Sequence, residues 1–248
     1  MDVMTDEMSV LPENQPEDGE LNAIKLPPKV SRGYLFLKRV FDFTVSFVAS
    51  LVLVLPIIII SLLIILKDKG NPFYAQKRVG LNGQVLKVYK FRSMKVGSDN
   101  LENMLTAEQL KEYLKEYKLK DDPRLIGYKK AGDGNTCFGA ILRKTSLDEI
   151  LQILMNVCIL GNMSWVGPRP ILESELHENY TPEEQKLILS VKPGITGYWQ
   201  AYARNNVTYE SGERQKMELY YVYNRSFILD LKIIFKTVES VIKKTGAN

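Results

Sequence analysis

The stretch FTVSFVASLVLVLPIIIISLLIIL, Phe43 to Leu66, runs without one charged side chain. At about 1.5 Å per residue, a helix of that length covers roughly the hydrocarbon thickness of a bilayer. Two features argue against a plain span. Pro56 stands in the middle, and both flanks are basic: Arg32, Lys38 and Arg39 before the run, then Lys67, Lys69, Lys77 and Arg78 after it. A span would put one cationic cluster outside, against the positive-inside tendency, whereas a bend at Pro56 returns both to the cytoplasmic face. The expected structure is a re-entrant helix hairpin. Tyr34 to Asp42 leads into it, holding Arg32, Lys38 and Arg39 at headgroup level, and the two parts form one helix broken at Pro56.

Outside this run the composition is that of a single globular unit with one membrane foothold. The net charge is only +4, but Asp2, Asp6, Glu7, Glu13, Glu17, Asp18 and Glu20 sit at the start, so the chain after Lys25 is more basic than the average. That surplus suits anionic headgroups or phosphate-bearing substrates, with nucleic acid as the other candidate. The basic positions lack the aromatic interleaving of a base-stacking platform, so no nucleic-acid partner is expected. Cys137 and Cys158 are the only cysteines and His177 the only histidine, which leaves no zinc spacing and no good Ser-His-Asp or Cys-His arrangement. The cysteines read as isolated thiols in a reducing compartment, and His177 as a surface residue of an acidic stretch. No secretory signal is visible, and Met1 to about Pro28 reads as a disordered tail.

Past the apolar run, Phe73–Val79 and Gln84–Arg92 flank Leu81-Asn82-Gly83, which predicts a small β-hairpin. Thr106 and Gln109 have capping-box spacing before an amphipathic helix with Leu110, Tyr113, Leu114 and Tyr117 on one face, which Asp122-Pro123-Arg124 ends. Ala131 to Asn135 is a loop before Phe138–Leu142. Ser146-Leu147-Asp148-Glu149 opens a helix whose body, Ile150 to Leu160, is almost wholly apolar and must be buried, with Gly161 closing it. Gly167-Pro168-Arg169-Pro170 is a rigid turn, Thr181 caps a helix begun by Pro182, and Lys192 to Gly197 is a tight loop. Helices are expected over about Glu210–Asn224 and Phe227–Lys244. The last presents the stripe Phe227, Leu231, Ile234, Val238 and Val241, with Lys232, Lys236 and Lys243 on another face, suited to a membrane surface or to a core.

Asp148 and Glu149 taken alone could simply complement a helix dipole. Their surroundings point further. Arg143 and Lys144 lie just before them, and free amides at a helix start attract phosphate oxygens. A carboxylate held ionised beside bound phosphate is placed to attack phosphorus, and as a hard oxygen ligand it suits Mg2+. Lys90, Arg92 and Arg169 are further cationic candidates, the last stiffened by a proline on each side. No Walker sequence, Gly-rich phosphate loop or dinucleotide fingerprint is present.

In order along the chain, these segments resemble the bacterial monotopic phosphoglycosyl transferases. They are Lys38-Arg39-Val40-Phe41-Asp42, Tyr89-Lys90-Phe91-Arg92-Ser93-Met94, Asp122-Pro123-Arg124, Leu142 to Glu149, Met163 to Pro170, Lys192 to Gly197 and Asp230-Leu231-Lys232-Ile233. The likeness covers about Leu37 to Lys244. It implies that Asp148 attacks the sugar-linked phosphate of a UDP-sugar, that UMP leaves, and that undecaprenyl phosphate then takes the phosphosugar from the enzyme. Glu149 would assist proton handling or Mg2+ together with Asp148. Lys90, Arg143 and Arg169 would hold phosphate charge, and Lys192, Gly194 and Thr196 would help hold the nucleotide. The implied fold is α+β and mostly helical, a monotopic membrane protein with re-entrant helix hairpin, β-hairpin and amphipathic interfacial helices. Residues 1–30 would be an acidic tail, 31–70 the re-entrant helix, and 71–248 the cytoplasmic catalytic domain. The implied setting is the cytoplasmic face of a bacterial inner membrane, in capsule, exopolysaccharide or glycan assembly, where a homodimer is plausible.

The chain departs from the family pattern at Leu55, where Ser is usual before the proline, at Asn162, where Asp is usual, and in a longer loop from Gly127 to Cys137. It is read as a short form without a polytopic N-terminal region. The competing reading is a membrane-tethered binding module for acidic partners, with Asp148 and Glu149 as a mere cap. Which sugar is transferred is not written in these residues.

Overall fold

The structure, a computed structural model, describes residues 30–116, 119–203 and 212–242. The expected tail up to Met1, the ends of the helices expected at Glu210 and Lys244, and Tyr117 lie outside them.

Helix α1 runs from Arg32 to Asp68, 37 residues, with Pro56 inside. Ser31 starts it, its hydroxyl accepting the Tyr34 amide at 3.0 Å. The run is not divided into two helices at Pro56, so the expected hairpin is replaced by one helix that continues through the proline. Asp42, Ser46, Ser50, Ile60 and Ile64 are its buried residues and share one face. The rest is an exposed apolar surface that includes Phe36, Phe47, Val52, Leu55, Ile58, Leu62 and Leu66. This one helix meets the length and apolarity of a membrane span.

Both ends of α1 are fastened to the same domain. At the start, Lys38 Nζ donates to Asp230 Oδ2 at 2.8 Å and Tyr34 donates to the same oxygen at 3.0 Å. Arg39 donates to the Val157 carbonyl at 3.0 Å. The Trp165 amide donates to Asp42 at 3.0 Å and its indole N–H to Ser46 at 2.8 Å. Lys38 and Arg39 therefore turn onto protein, where a buried carboxylate and a carbonyl receive them. Arg32 stays exposed. At the other end Arg92 pairs with the Asp68 carboxylate and donates to the carbonyls of Asp68, Lys69 and Asn71 at 2.8, 3.0 and 2.8 Å. These include carbonyls that a helix end leaves without partners. Arg92 is thus a cap for α1, which removes it from the candidate phosphate ligands.

The hairpin forms as expected. β1 (Phe73–Val79) pairs antiparallel with β2 (Val85–Phe91), in a register that sets Tyr74 against Lys90 and Val79 against Val85. Asn82 and Gly83 turn it with φ of 55° and 77°, the left-handed pair that Asn-Gly adopts readily. After α2 (Leu101–Met104), α3 (Ala107–Glu116) opens with the expected box: the Gln109 amide donates to Thr106 Oγ1 at 3.3 Å and Gln109 Oε1 accepts the Thr106 amide at 3.1 Å. Leu114 is exposed. Asp122 and Arg124 form a buried ion pair at 2.7 Å, with Arg124 stacked over Tyr113. α4 spans Phe138–Lys144.

A second pairing was not expected. β3 (Ser164–Val166) and β4 (Gly194–Thr196) run parallel, so the Lys192–Gly197 segment is partly strand rather than a tight loop. Gly194 and Gly167 pack so closely that a Cβ on either would meet the other's backbone. α5 (Glu173–Asn179) and α6 (Pro182–Ile188) follow β3, α6 capped by Thr181 as expected, and His177 is exposed. α7 (Tyr198–Tyr202), α8 (Glu213–Asn224) and α9 (Phe227–Ile242) enclose the core of Val166, Trp199, Tyr221, Val222 and Ile233. The fully buried residues of α9 are Asp230 and Ile233; of the expected stripe, Ile234 packs on the core and Phe227 on Phe41, and the side chain of Val241 lies outside the described residues. Asp230 is drawn in by Lys38 and by Tyr221, whose hydroxyl donates at 2.7 Å. Ile228, Phe235 and Val238 are left exposed.

The Lys38–Asp230 pair is buried on both sides, so Lys38→Met should lower stability by about 3 kcal/mol through an uncompensated carboxylate. Lys38→Met/Asp230→Asn should recover most of that loss in denaturant unfolding in detergent. A double variant as unstable as the single one would contradict this account.

Candidate active site

The chain leaves α4 through Thr145, whose hydroxyl donates to the Ile141 carbonyl at 2.7 Å, and reverses at Ser146. Ser146 has φ 55°, in the left-handed region, and makes no side-chain cap. The Ser146 side chain therefore does not cap the turn it opens. Leu147–Glu149 forms one 3-10 turn, and the apolar body winds as a π-helix over Ile153–Ile159. The Glu149 amide is taken by the Ser146 carbonyl at 3.1 Å, so the open helix start expected to attract phosphate is not formed. The apolar body is buried as expected except at Ile159 and Leu160.

Three of the expected residues gather around Asp148. Lys90 Nζ, on β2, donates to Glu149 Oε1 at 2.6 Å. Burial pushes the Asp148 carboxyl up to about 6, and the neighbouring Glu149 carboxylate adds to it. Lys90, Arg143 and the residue's own amide pull the other way. The arrangement is a half-buried carboxylate pair with two cations against it. It can take a phosphate group between the cations and a carboxylate oxygen. Among the described residues no group of three acidic, His or Cys side chains could hold a metal by itself. Two adjacent carboxylates do fit Mg2+, which takes one or two protein carboxylates and completes its shell with substrate phosphates and water.

The backbone that carries Lys90 is held by Asn156, a residue the sequence reading passed over. Its amide oxygen accepts the Tyr89 N–H at 3.0 Å and its NH2 donates to the Lys87 carbonyl at 2.7 Å and to Asn162 Oδ1 at 3.1 Å. It is fully buried inside the π-helix. A lone polar side chain in an otherwise apolar helix body was the available signal.

The other expected residues stand elsewhere. Arg169 lies beside Val79 and Gly80 at the far end of the hairpin, five strand positions, or about 17 Å, from the level of Lys90. Its backbone N–H donates to the buried Glu218 carboxyl at 3.2 Å, and burial pushes that carboxyl up to about 7. Lys192 donates to the Gly161 carbonyl at 2.8 Å beside Arg39 and Asp42, Gly194 packs on Gly167, and Thr196 bonds Thr237 at 2.7 Å. Pro56 lies within α1.

Residues 33–244 match the profile of a family described as bacterial sugar transferase. The chain is 41% identical over 215 residues to a UDP-galactose-lipid carrier transferase of Erwinia amylovora, covering 86% of this chain and 42% of that one. It is 39% identical to an undecaprenyl-phosphate galactose phosphotransferase of Salmonella typhimurium over 87% of this chain and 42% of the other. With the exopolysaccharide production protein ExoY of Sinorhizobium fredii it shares 38% identity over 85% of this chain and 87% of that protein. The chain thus spans less than half the length of the first two relatives and most of the third.

Because the folded-state pKa of Asp148 is raised, the folded protein favours the protonated form. Ionisation then lowers stability progressively as pH rises from about 4 to about 6, and the loss is constant above that. Asp148→Asn should accordingly be more stable than wild type at pH 8, with the difference in melting temperature shrinking as pH falls toward 4. A difference independent of pH would refute the burial of this carboxyl.

Proposed function

The chain belongs to the bacterial sugar transferase family, and from that membership and the Asp148 cluster we propose that it transfers a sugar phosphate from a UDP-sugar to undecaprenyl phosphate, releasing UMP. The observation that carries the reading is the convergence of Asp148, Glu149, Lys90 and Arg143. Lys90 and Arg143 accept the charge of the diphosphate. An ionised Asp148 oxygen attacks the sugar-linked phosphorus, the bond to the UMP oxygen breaks, and UMP leaves with that electron pair. The phosphosugar then rests on Asp148 as an acyl phosphate until an oxygen of the lipid phosphate displaces it. Glu149, released from Lys90 when phosphate takes the lysine, is free to handle a proton or to share a cation with Asp148. Mg2+ bound by Asp148 and Glu149 would supply neutralisation of phosphate charge.

The elevated pKa suits a nucleophile. A carboxylate pulled part of the way out of water is more reactive than a solvated one, and Lys90 and Arg143 pull against the burial that disfavours its ionised form. The relatives' printed names point to galactose, and galactose is the first sugar to test on this chain.

The attachments of α1 support a monotopic reading of the membrane helix. A helix whose two ends bind one domain cannot have those ends on opposite sides of a bilayer. No residue between Ser50 and Ile60 is buried against the domain, a stretch of about 15 Å that includes Pro56. We therefore take α1 to be monotopic, entering the cytoplasmic leaflet of a bacterial inner membrane around Pro56 with both ends cytoplasmic. The long exposed apolar face supports this, since surfaces of that extent mark membrane or protein contact.

Two measurements test these statements. With a UDP-sugar and Mg2+ but no lipid acceptor, wild type should release about one UMP per chain and gain the mass of one phosphosugar. Asp148→Asn should do neither and lose turnover by roughly a thousandfold or more, so undiminished turnover in that variant would sink the nucleophile. Single cysteines placed at positions 30 and 70, in a background with Cys137 and Cys158 replaced by Ser, should both resist an impermeant reagent added to intact cells and both react after lysis. Labelling of either one from outside would overturn the monotopic placement.

A further inference from the structure

A cavity of about 310 Å³ opens beside the first half of α1, well away from Asp148. Lys38, Arg39, Lys192 and Arg225 border it, against one acid in its wall, Asp42. Lys38 is matched by Asp230. The other three cations have no carboxylate of their own among the described residues. Arg39 and Lys192 rest on the backbone carbonyls of Val157 and Gly161. Arg225 Nη1 is buried with no hydrogen-bond partner, as is the hydroxyl of Ser164, another wall residue. Burial, and after it the charge of Arg39, lowers the pKa of Lys192 by more than Asp42 raises it.

An unpaired, buried guanidinium nitrogen is costly unless something completes it. The surplus of cations and the two orphaned polar atoms call for an anion with several acceptor oxygens. Phosphate meets that description. The remaining wall is apolar, including Leu35, Leu81 and Val191, and Leu35 belongs to the exposed apolar face that continues through Phe36 and Leu37. The volume lies within the range of small-molecule sites. A ligand with a phosphate head and an apolar body matches both parts of the wall. Along α1, Asp42 is 18 positions from Ile60, which packs with Phe91, Leu142 and Leu151 near the Asp148 turn. That is roughly 27 Å along the helix.

We propose that this cavity binds the phosphate group of an anionic membrane lipid, as an accessory site separate from Asp148. It would tie β4 and the α8–α9 corner to the headgroup layer beside α1. The inference rests on the membrane placement of α1 given above and not on the chemistry at Asp148.

The test uses the full chain in detergent, with phosphatidic acid, diacylglycerol of the same acyl chains, and inorganic phosphate as probes. Phosphatidic acid should raise the melting temperature and appear as one bound lipid per chain in native mass spectrometry, and the other two at equal concentration should not. Lys192→Gln/Arg225→Gln should weaken phosphatidic acid binding at least tenfold. Arg225→Gln alone, which keeps the Lys192–Gly161 bond, should weaken it about threefold or more and guards against loss of fold in the double variant. Asp148→Asn should bind as wild type does. Unchanged affinity in both Arg225 variants would overturn the site, and loss in Asp148→Asn would move the lipid to the catalytic centre. An equal shift from inorganic phosphate would replace the lipid by a soluble anion. Failure of UMP release would leave this result standing, since no probe here is a sugar nucleotide.

Discussion

The attachment of α1 at both of its ends is the constraint on which the rest of the molecule depends. Lys38 with Asp230 at one end and Arg92 with Asp68 at the other are ion pairs between an apolar helix and a polar domain. Neither helix end can leave without stranding a charge. β2 carries the second attachment and the active site on the same face, because residues two apart on a strand point the same way. Lys90 reaches Glu149, Arg92 reaches the end of α1, and Phe91 between them packs on the other side with Ile60 and Ile64. A movement of α1 is therefore a movement of the strand that holds Lys90 against Glu149. Asn156 fixes the same strand through its backbone from the opposite flank.

The segment around Asp148 departs from regular structure in ways that each cost stability. Ser146 is, with Asn82, one of two non-glycine residues at positive φ among those described. Asn82 tolerates that conformation in a hairpin turn, whereas serine gains nothing local from it. The π-helix after Glu149 inserts an extra residue into each turn, and Asp148 is held in surroundings that resist its charge. Such features persist where packing on both sides imposes them, and α4 and β2 supply it here. The result is a half-buried carboxylate on a tight turn in place of one at the start of a long helix.

The sequence made the period-2 and turn signals easy to read, so the hairpin, the Thr106 and Thr181 caps and the burial of Ile150 to Cys158 follow from local rules. It also identified Asp148, Glu149, Lys90 and Arg143, since their order along the chain carries the family pattern. What it did not carry was tertiary. Arg92 looks like any cation until the carbonyls at the end of α1 are placed beside it. The pairing of β3 with β4 joins segments about 30 residues apart and is parallel, with strands too short for alternation to be visible. The buried face of α9 turns on Asp230, a charge that hydrophobic periodicity excludes and that Tyr221 with the distant Lys38 and Tyr34 makes tolerable. The π-helix leaves no trace in a pattern that tests only periods of 3.6 and 2.

The continuity of α1 through Pro56 bears on how the helix meets lipid. Proline supplies no N–H for the Val52 carbonyl, and Leu55 offers no hydroxyl in its place. The nearby Ser61 hydroxyl is spent on the Ile57 carbonyl at 2.7 Å. One backbone oxygen thus lacks its helical partner on a stretch with no fully buried residue, a loss of several kcal/mol in dry hydrocarbon. Against it stand Leu51, Val52, Val54, Leu55, Ile58, Ile59, Leu62 and Leu63, all exposed on the same stretch, each worth on the order of 1 to 2 kcal/mol on leaving water. Their sum exceeds the penalty of the single carbonyl by a wide margin, so immersion wins. The carbonyl limits the depth instead, because the penalty falls where water still reaches. On the function proposed above, a shallow entry with both ends tied to the domain would keep the Asp148 turn at the headgroup layer, within reach of a soluble sugar nucleotide and a lipid phosphate.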